Sequence, residues 1–248
     1  MTDKKSLAGR IAVVTGATRG IGYFAAKAMA EAGAHVVAVA RTQGALEELD
    51  DEIRAAGGAC TLVPLDLTDG PGIDRLGGAI NERWGRLDIL LANAGILGTL
   101  SPLGHVQAKD WDKVMAINVT ANWRLIRSLD PLLKRSEAGR AIFISSGVAH
   151  SLKPFWGPYA VSKAALEALA RTYAHETQKS PIKVVMVDPG AMRTAMRAQA
   201  MPGEDPETLP HPSEIAPDLV KLAAPDFERT DVLFDFRSKA FQNFHTPA

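Results

Sequence analysis

Seven short runs of apolar, largely β-branched residues recur along the 248-residue chain, and each is set apart from the next by a longer stretch. The runs are Ile11–Thr15, His35–Ala40, Thr61–Leu65, Leu87–Ala92, Ala141–Ser145, Lys183–Val187 and Val232–Phe234. The stretches between them, such as 20–32 and 44–56, carry a helical pattern. Short strands alternating with helices build βαβ units, whose crossovers make the strands parallel. The runs are apolar throughout rather than at every second residue, which is the pattern of a sheet covered on both faces. The expectation is an α/β fold, one doubly wound parallel sheet of about seven strands with helices on both sides, as a single domain over residues 1–248.

One segment breaks the alternation. Pro189, Pro202, Pro206, Pro210, Pro212 and Pro217 crowd into it, with Glu204, Asp205 and Glu207 among them. Proline at this density rules against one long helix. The segment at about 190–215 reads as a mobile excursion between strands, of the kind that carries function.

Composition narrows the partners. Lys+Arg and Asp+Glu balance at 28 each, so no net field draws the chain to nucleic acid or to an anionic membrane. Cys60 is the lone cysteine, which excludes an intrachain disulfide and points to a reducing, cytoplasmic setting. The polar start, Met1 to Arg10, carries no apolar signal segment, and no run reaches the length of a membrane span. The histidines at 35, 105, 150, 175, 211 and 245 show no ligand spacing, so no metal is expected.

The first strand runs into Thr15-Gly16-Ala17-Thr18-Arg19-Gly20-Ile21-Gly22. Glycines at i, i+4 and i+6 between a strand and a helix allow a tight turn and a close approach of backbone to a pyrophosphate. The helix then offers free N–H groups at its positive end. This is the signature of a Rossmann-type dinucleotide site. An acid after the second strand would select NAD; here that strand ends Val39-Ala40-Arg41. Arg41 and Arg19 are suited to a 2′-phosphate, which predicts NADP(H) over NAD(H).

Tyr159-Ala-Val-Ser-Lys163 sets a phenol and an ammonium one turn apart on a helix. A nearby ammonium favours the phenolate and so lowers the phenol pKa, which fits the tyrosine for proton transfer during hydride movement. Tyr23 and Lys27 share the spacing but sit on the first helix, where packing or surface is the expected role. Ser146 lies thirteen residues before Tyr159, at the carboxyl end of a strand, where open α/β sheets place their sites. Ser145 beside it is the alternative.

With these motifs together, the chain resembles the short-chain dehydrogenase/reductase family, and within it a bacterial oxidoreductase subgroup. The likeness runs from about Arg10 to Thr194 and rests on the glycine turn, Asn93-Ala94-Gly95, Asn118, Ser146, Tyr159 with Lys163, and Pro189-Gly190. The resemblance implies an NADP(H)-dependent oxidoreductase acting on a small carbonyl or alcohol. Tyr159 would be the general acid, and Ser146 would polarise the carbonyl. Lys163 would hold the nicotinamide ribose and depress the tyrosine pKa. Asn118 would hold a relay water.

Asp66 and Leu67, in Leu65-Asp66-Leu67-Thr68, would meet the adenine side, with an N-cap as the alternative for Asp66. Asn93, Ala94 and Gly95 would border the cofactor with Gly16, Thr18, Gly20, Ile21, Gly22, Pro189 and Gly190. Thr194 would meet the carboxamide or cap the next helix. The resemblance also implies a homodimer or homotetramer, although the tail after Phe236 lacks the glycine pair that often follows the family's last strand. A cofactor-binding sensor without turnover is a second reading, but such relatives commonly lose the tyrosine or lysine. An epimerase or dehydratase is a third; those relatives tend to be longer. Phe155, Trp156, Leu97, Met192 and Met196 would give an apolar substrate cleft.

Overall fold

Eight strands form one sheet in the computed structural model, which describes residues 6–244. The strands are β1 (Ile11–Thr15), β2 (His35–Ala40), β3 (Ala59–Pro64), β4 (Ile89–Ala92), β5 (Arg140–Ile144), β6 (Lys183–Asp188), β7 (Val232–Asp235) and β8 (Ala240–Asn243). Their order is β3-β2-β1-β4-β5-β6-β7-β8. All neighbours pair parallel except β7 with β8. The chain winds outward from β1 in one direction and from β4 in the other, so a crevice opens at the carboxyl ends of these two strands.

The helices are α1 (Gly20–Glu31), α2 (Gln43–Ala55), α3 (Gly70–Trp84), α4 (Ala108–Met115), α5 (Ala121–Leu133), α6 (Val148–Ser151), α7 (Gly157–Glu176), α8 (Ala195–Ala200) and α9 (Ala216–Ala223). They divide between the faces of the sheet. Met29 of α1, Leu49 of α2 and Leu219 of α9 pack on Val14, Val36 and Ile142. Ile73 of α3, Leu129 of α5 and Leu166 of α7 pack on Val13, Val37 and Phe143. Successive strand residues thus enter opposite cores, and both cores are apolar. That is why each strand reads as one continuous apolar run.

Two differences from the sequence expectation have local causes. β4 begins at Ile89 rather than Leu87, because the Leu87 amide donates to the Leu132 carbonyl at the end of α5. The eighth strand, β8, was not expected. It lacks a parallel crossover and returns from β7 through a short turn, with exposed residues that carry little apolar signal. His245 and the rest of the tail lie outside the described residues.

The proline-rich excursion is built of short ordered pieces. Thr194 caps α8, and 3₁₀ turns start at Pro206 and Pro212, where proline costs no hydrogen bond. Arg197 holds Glu204 through both guanidinium and carboxylate forks, and Arg193 holds Glu207 at 2.8 Å.

Candidate active site

The glycine turn joins the C-terminal end of β1 to α1. Gly16 and Gly20 take φ of +66° and +56°, in the left-handed region that favours glycine. A Cβ on Gly22 would stand 2.4 Å from both the Gly16 carbonyl and the Asn93 amide, so the third glycine is required by packing. Arg19 occupies the N-cap in extended conformation. No side chain caps the helix there, and its first turn holds no acid. Amides left without a side-chain acceptor at a positive helix end fit an anion such as a pyrophosphate.

Thr15 braces this turn against the next. Its hydroxyl accepts from the amides of Asn93 (3.0 Å) and Ala94 (3.1 Å), while the Asn93 side chain donates to the Thr15 carbonyl at 2.9 Å. Gly95 then brings the chain against two further groups: a Cβ there would lie 3.3 Å from Asn118 Oδ1 and 3.6 Å from Lys163 Nζ.

Asn118 sits fully buried in a π-helical turn, Ala116–Thr120, between α4 and α5. Its side chain accepts from the Ile96 amide at 2.9 Å. It donates to the Ile96 carbonyl and to the Ser162 hydroxyl, each also at 2.9 Å. The amide thus mimics a strand partner for Ile96, and π turns of this kind recur at functional sites. Ser162 in turn donates to the Tyr159 carbonyl at 2.8 Å. Asn118 therefore ties the β4 loop to α7.

Tyr159 and Lys163 face the carboxyl end of β5 from α7, both buried. Ser146 stands near enough to the Tyr159 hydroxyl to lower its pKa, whereas Ser145 turns away and donates to Glu167 at 2.5 Å. Of the two serines, Ser146 is the one at the phenol. Lys163 Nζ donates to the Ile144 carbonyl at 2.7 Å and lies 5.6 Å from the Tyr159 ring centre.

These residues lie within the stretch that a sequence comparison matches. The profile of the short chain dehydrogenase family matches residues 10–205. The chain belongs to the short-chain dehydrogenase family. This oxidoreductase is 37% identical over 230 residues to the oxidoreductase YciK of Escherichia coli strain K12, covering 91% of each chain. A short chain dehydrogenase from Pseudomonas syringae matches it at 41% identity and a TM-score of 0.88, over 91% of this chain and 93% of that one. Another, from Shigella flexneri 2a and solved in complex with NADP, matches at 37% identity and a TM-score of 0.90, over 94% and 99%.

In the short-chain dehydrogenase, burial reverses one electrostatic expectation. Burial pushes the Tyr159 hydroxyl up to about 12, against a smaller lowering by the nearby Ser146 hydroxyl. Asp188 raises it further. Burial also brings Lys163 down to about 8, with Glu167 opposing the fall. The ammonium is spent on a backbone carbonyl and does not depress the phenol. Desolvation of the charged form outweighs the neighbouring ammonium.

The remaining predicted residues fall around the turn in different ways. Arg19 and Arg41 are exposed, and Arg41 lies 4.0 Å from Asp66 in a loose ion pair. Asp66 closes a turn by accepting from the amide and hydroxyl of Thr68, both at 2.9 Å; the N-cap of α3 is Asp69. Leu67 buries its side chain in the α3–α5 core, which leaves only its backbone to border a ligand. Thr18 and Ile21 are half-buried on the glycine turn. Pro189 and Gly190 follow β6, and the Gly190 amide donates to Asp188 at 2.9 Å. Thr194 caps α8 by accepting from the Arg197 amide at 3.2 Å, while its methyl lies 3.4 Å from where a Gly20 Cβ would be. The cap and the place beside the glycine turn coexist.

Above Tyr159 a small apolar cluster joins Leu97, Val148, Ala160 and Ala200, with Trp156 and Met196 against it. Met192 does not belong to it; its side chain packs into the core under α1 and α9. Leu152 and Phe155 stand 66% and 59% exposed at the rim, both at positive φ. Strain of that kind in non-glycine residues collects at functional sites. Sequence reading missed Thr15, Ser162 and Glu167. Ser162 lies inside the Tyr159–Lys163 motif, and Glu167 continues its four-residue spacing by one more turn.

Proposed function

We propose that this short-chain dehydrogenase reduces a small carbonyl compound with NADPH, or oxidises the corresponding alcohol, with Tyr159 as the general acid or base. The observation that carries the reading is the meeting of Tyr159, Ser146, Lys163 and Asn118 beside the glycine turn, at the carboxyl ends of β4 and β5. When bound, the nicotinamide supplies or accepts the hydride. The chain supplies the rest. Gly16, Thr18, Gly20, Ile21 and Gly22 would hold the pyrophosphate, and Arg19 and Arg41 the 2′-phosphate. Asp66 and Leu67 would border the adenine. Asn93, Ala94, Gly95, Pro189, Gly190 and Thr194 would line the nicotinamide half, with Lys163 on the ribose.

Ser146 donates to the substrate oxygen and fixes it at the Tyr159 hydroxyl. At neutral pH a hydroxyl near 12 keeps its proton, so the resting form is the donor that carbonyl reduction needs. Asn118 positions the α7 end of the site through Ser162. NADP(H) over NAD(H) rests on Arg41 and Arg19 and on the NADP in the Shigella flexneri relative. The apolar cluster over Tyr159 suits an apolar substrate, and residues 190–215, which bring Met196 and Ala200 to it, are read as the substrate loop of one domain. Exposed Trp123 on α5 and Val161 on α7 support a homodimer or homotetramer, consistent with a cytoplasmic enzyme whose described helices include none long and apolar enough to cross a membrane.

Titration with NADPH and NADH, followed by nicotinamide absorbance against ketones, aldehydes and quinones, tests the reading. Oxidation of NADPH by a carbonyl supports it. Tight NADPH binding without turnover across the panel would favour a sensor.

A further inference from the structure

Glu167 is a buried carboxylate that the reaction outlined above does not use, and it sits one helical turn beyond Lys163. Tyr159, Lys163 and Glu167 are spaced by four along α7, so all three side chains look toward the same strand end. Each takes a different residue of that end. Tyr159 faces Ser146, Lys163 donates to the Ile144 carbonyl, and Glu167 accepts from the Ser145 hydroxyl. Ile144 and Ser145 are therefore clipped by hydrogen bonds to successive turns of one helix, with Ser146 beside the turn that carries Tyr159. The second oxygen of Glu167 meets His150 Nε2 at 3.0 Å. His150 is half exposed on α6, the helix that begins just after Ser146.

The charge surroundings of the pair are few. Lys163 is on the same helix, and Asp188 of β6 adds a like charge to both Glu167 and Tyr159. Arg171, one turn further along α7, is engaged by Asp231 at 3.1 Å, as is His175 at 2.8 Å. His150 lines a cavity of about 220 Å³ with Leu233, Gln242, Asn243 and Phe244. A buried ammonium whose hydrogen bond goes to a neutral carbonyl needs a counter-charge close by, or it gives up its proton. Glu167 is the acid that α7 places within one turn of it.

We propose that Glu167 is a positioning residue: it holds Ser145, and with it the Ser146 hydroxyl, against α7, and its charge keeps Lys163 ionised. The inference rests on Tyr159, Ser146 and Lys163 being the reacting set. Burial raises the Glu167 carboxyl, while the Ser145 hydroxyl and His150 act to hold it ionised. His150 is thus the outer support of the carboxylate, reached from the cavity beside β8.

The test reads Lys163 directly. The protein is labelled at lysine Cε, the Lys163 signal is assigned by its loss in Lys163→Arg, and its titration is followed by NMR. Wild type should titrate near pH 8. In Glu167→Gln, which keeps the shape, the midpoint should fall by roughly one pH unit, and the alkaline limb of kcat/KM for carbonyl reduction should move down with it. His150→Gln, at an exposed site, should shift it the same way by less. Glu167→Asp keeps the charge but shortens the reach to Ser145; it should leave the Lys163 midpoint in place and lower kcat with KM unchanged. An unmoved Lys163 midpoint in folded Glu167→Gln, with wild type still reducing carbonyls, overturns the inference and leaves the reductase reading intact. A moved midpoint in a protein that reduces no carbonyl with NADPH keeps the role of Glu167 toward Lys163 and removes the reductase reading.

Discussion

Tyr23 with Lys27 on α1, and Tyr159 with Lys163 on α7, share one spacing and one internal geometry. In each pair the ammonium lies 5.6 Å from the ring centre. In each the phenol is raised to about 12. The causes differ. Tyr23 is raised most by burial and further by the nearby Glu52 carboxylate of α2, and Lys27 donates to Glu52 at 2.5 Å. That set ties two surface helices together and is accessible to water. Tyr159 is raised by burial and, less, by Asp188, and its neighbours are the Ser146 hydroxyl and a buried apolar cluster. The comparison teaches that the four-residue motif sets only the distance between phenol and ammonium. What surrounds the pair decides whether a proton has anywhere to go.

The largest effect that would break or uphold this contrast is at Tyr159. Tyr159→Phe should lower kcat for carbonyl reduction by about 10²–10⁴-fold, the weight of a general acid, and leave NADPH affinity near wild type. Stopped-flow turnover beside a fluorescence binding curve checks both halves. A Tyr159→Phe enzyme of normal rate would end the contrast.

Arg41→Asp comes next. It places a second acid beside Asp66, with which Arg41 now pairs at 4.0 Å. Loss of a charged hydrogen bond to the 2′-phosphate, about 1.5–3 kcal/mol, corresponds to roughly a 10- to 100-fold weaker NADPH Kd with NADH little changed. Calorimetry with both cofactors would show it; equal losses for the two would remove Arg41 from cofactor choice.

The smallest effect should be at Tyr23. Tyr23→Phe removes the hydroxyl near Glu52, while Lys27 keeps its hydrogen bond to that carboxylate. Turnover should be unchanged, with only a slight fall in melting temperature. A marked loss of kcat would mean that α1 contributes more to the reaction than the glycine turn at its start.

Much of the fold was legible because each strand is buried on both faces and so carries a continuous apolar run with sharp ends. β1 and β2 match their predicted bounds residue for residue. β8 escaped because it is antiparallel, short and largely exposed. The site was legible where a residue type has few other reasons to occur, as with the three glycines or the tyrosine four before a lysine. Ser162 and Glu167 were not, since serine and glutamate on a helix are ordinary surface residues until packing buries them. The expected depression of the Tyr159 pKa by Lys163 went wrong for a related reason. Spacing gives proximity, but the sign of a pKa shift depends on how much water each group has lost.

By itself, the order of residues determined the doubly wound parallel sheet, the glycine turn at the start of α1 and the pairing of Tyr159 with Lys163. These are local or periodic features, set by backbone freedom and by the 3.6-residue repeat of the helix. Only the tertiary structure decided which serine meets the phenol, where the Lys163 ammonium is spent, that Asn118 holds Ile96 and Ser162, and that Glu167 faces Ser145 and His150. Those contacts join residues 17 to 44 positions apart in the chain, or turn on a rotation of one residue at a strand end. Hydrogen bonds and desolvation act through space, and that space exists only once the sheet and helices have packed.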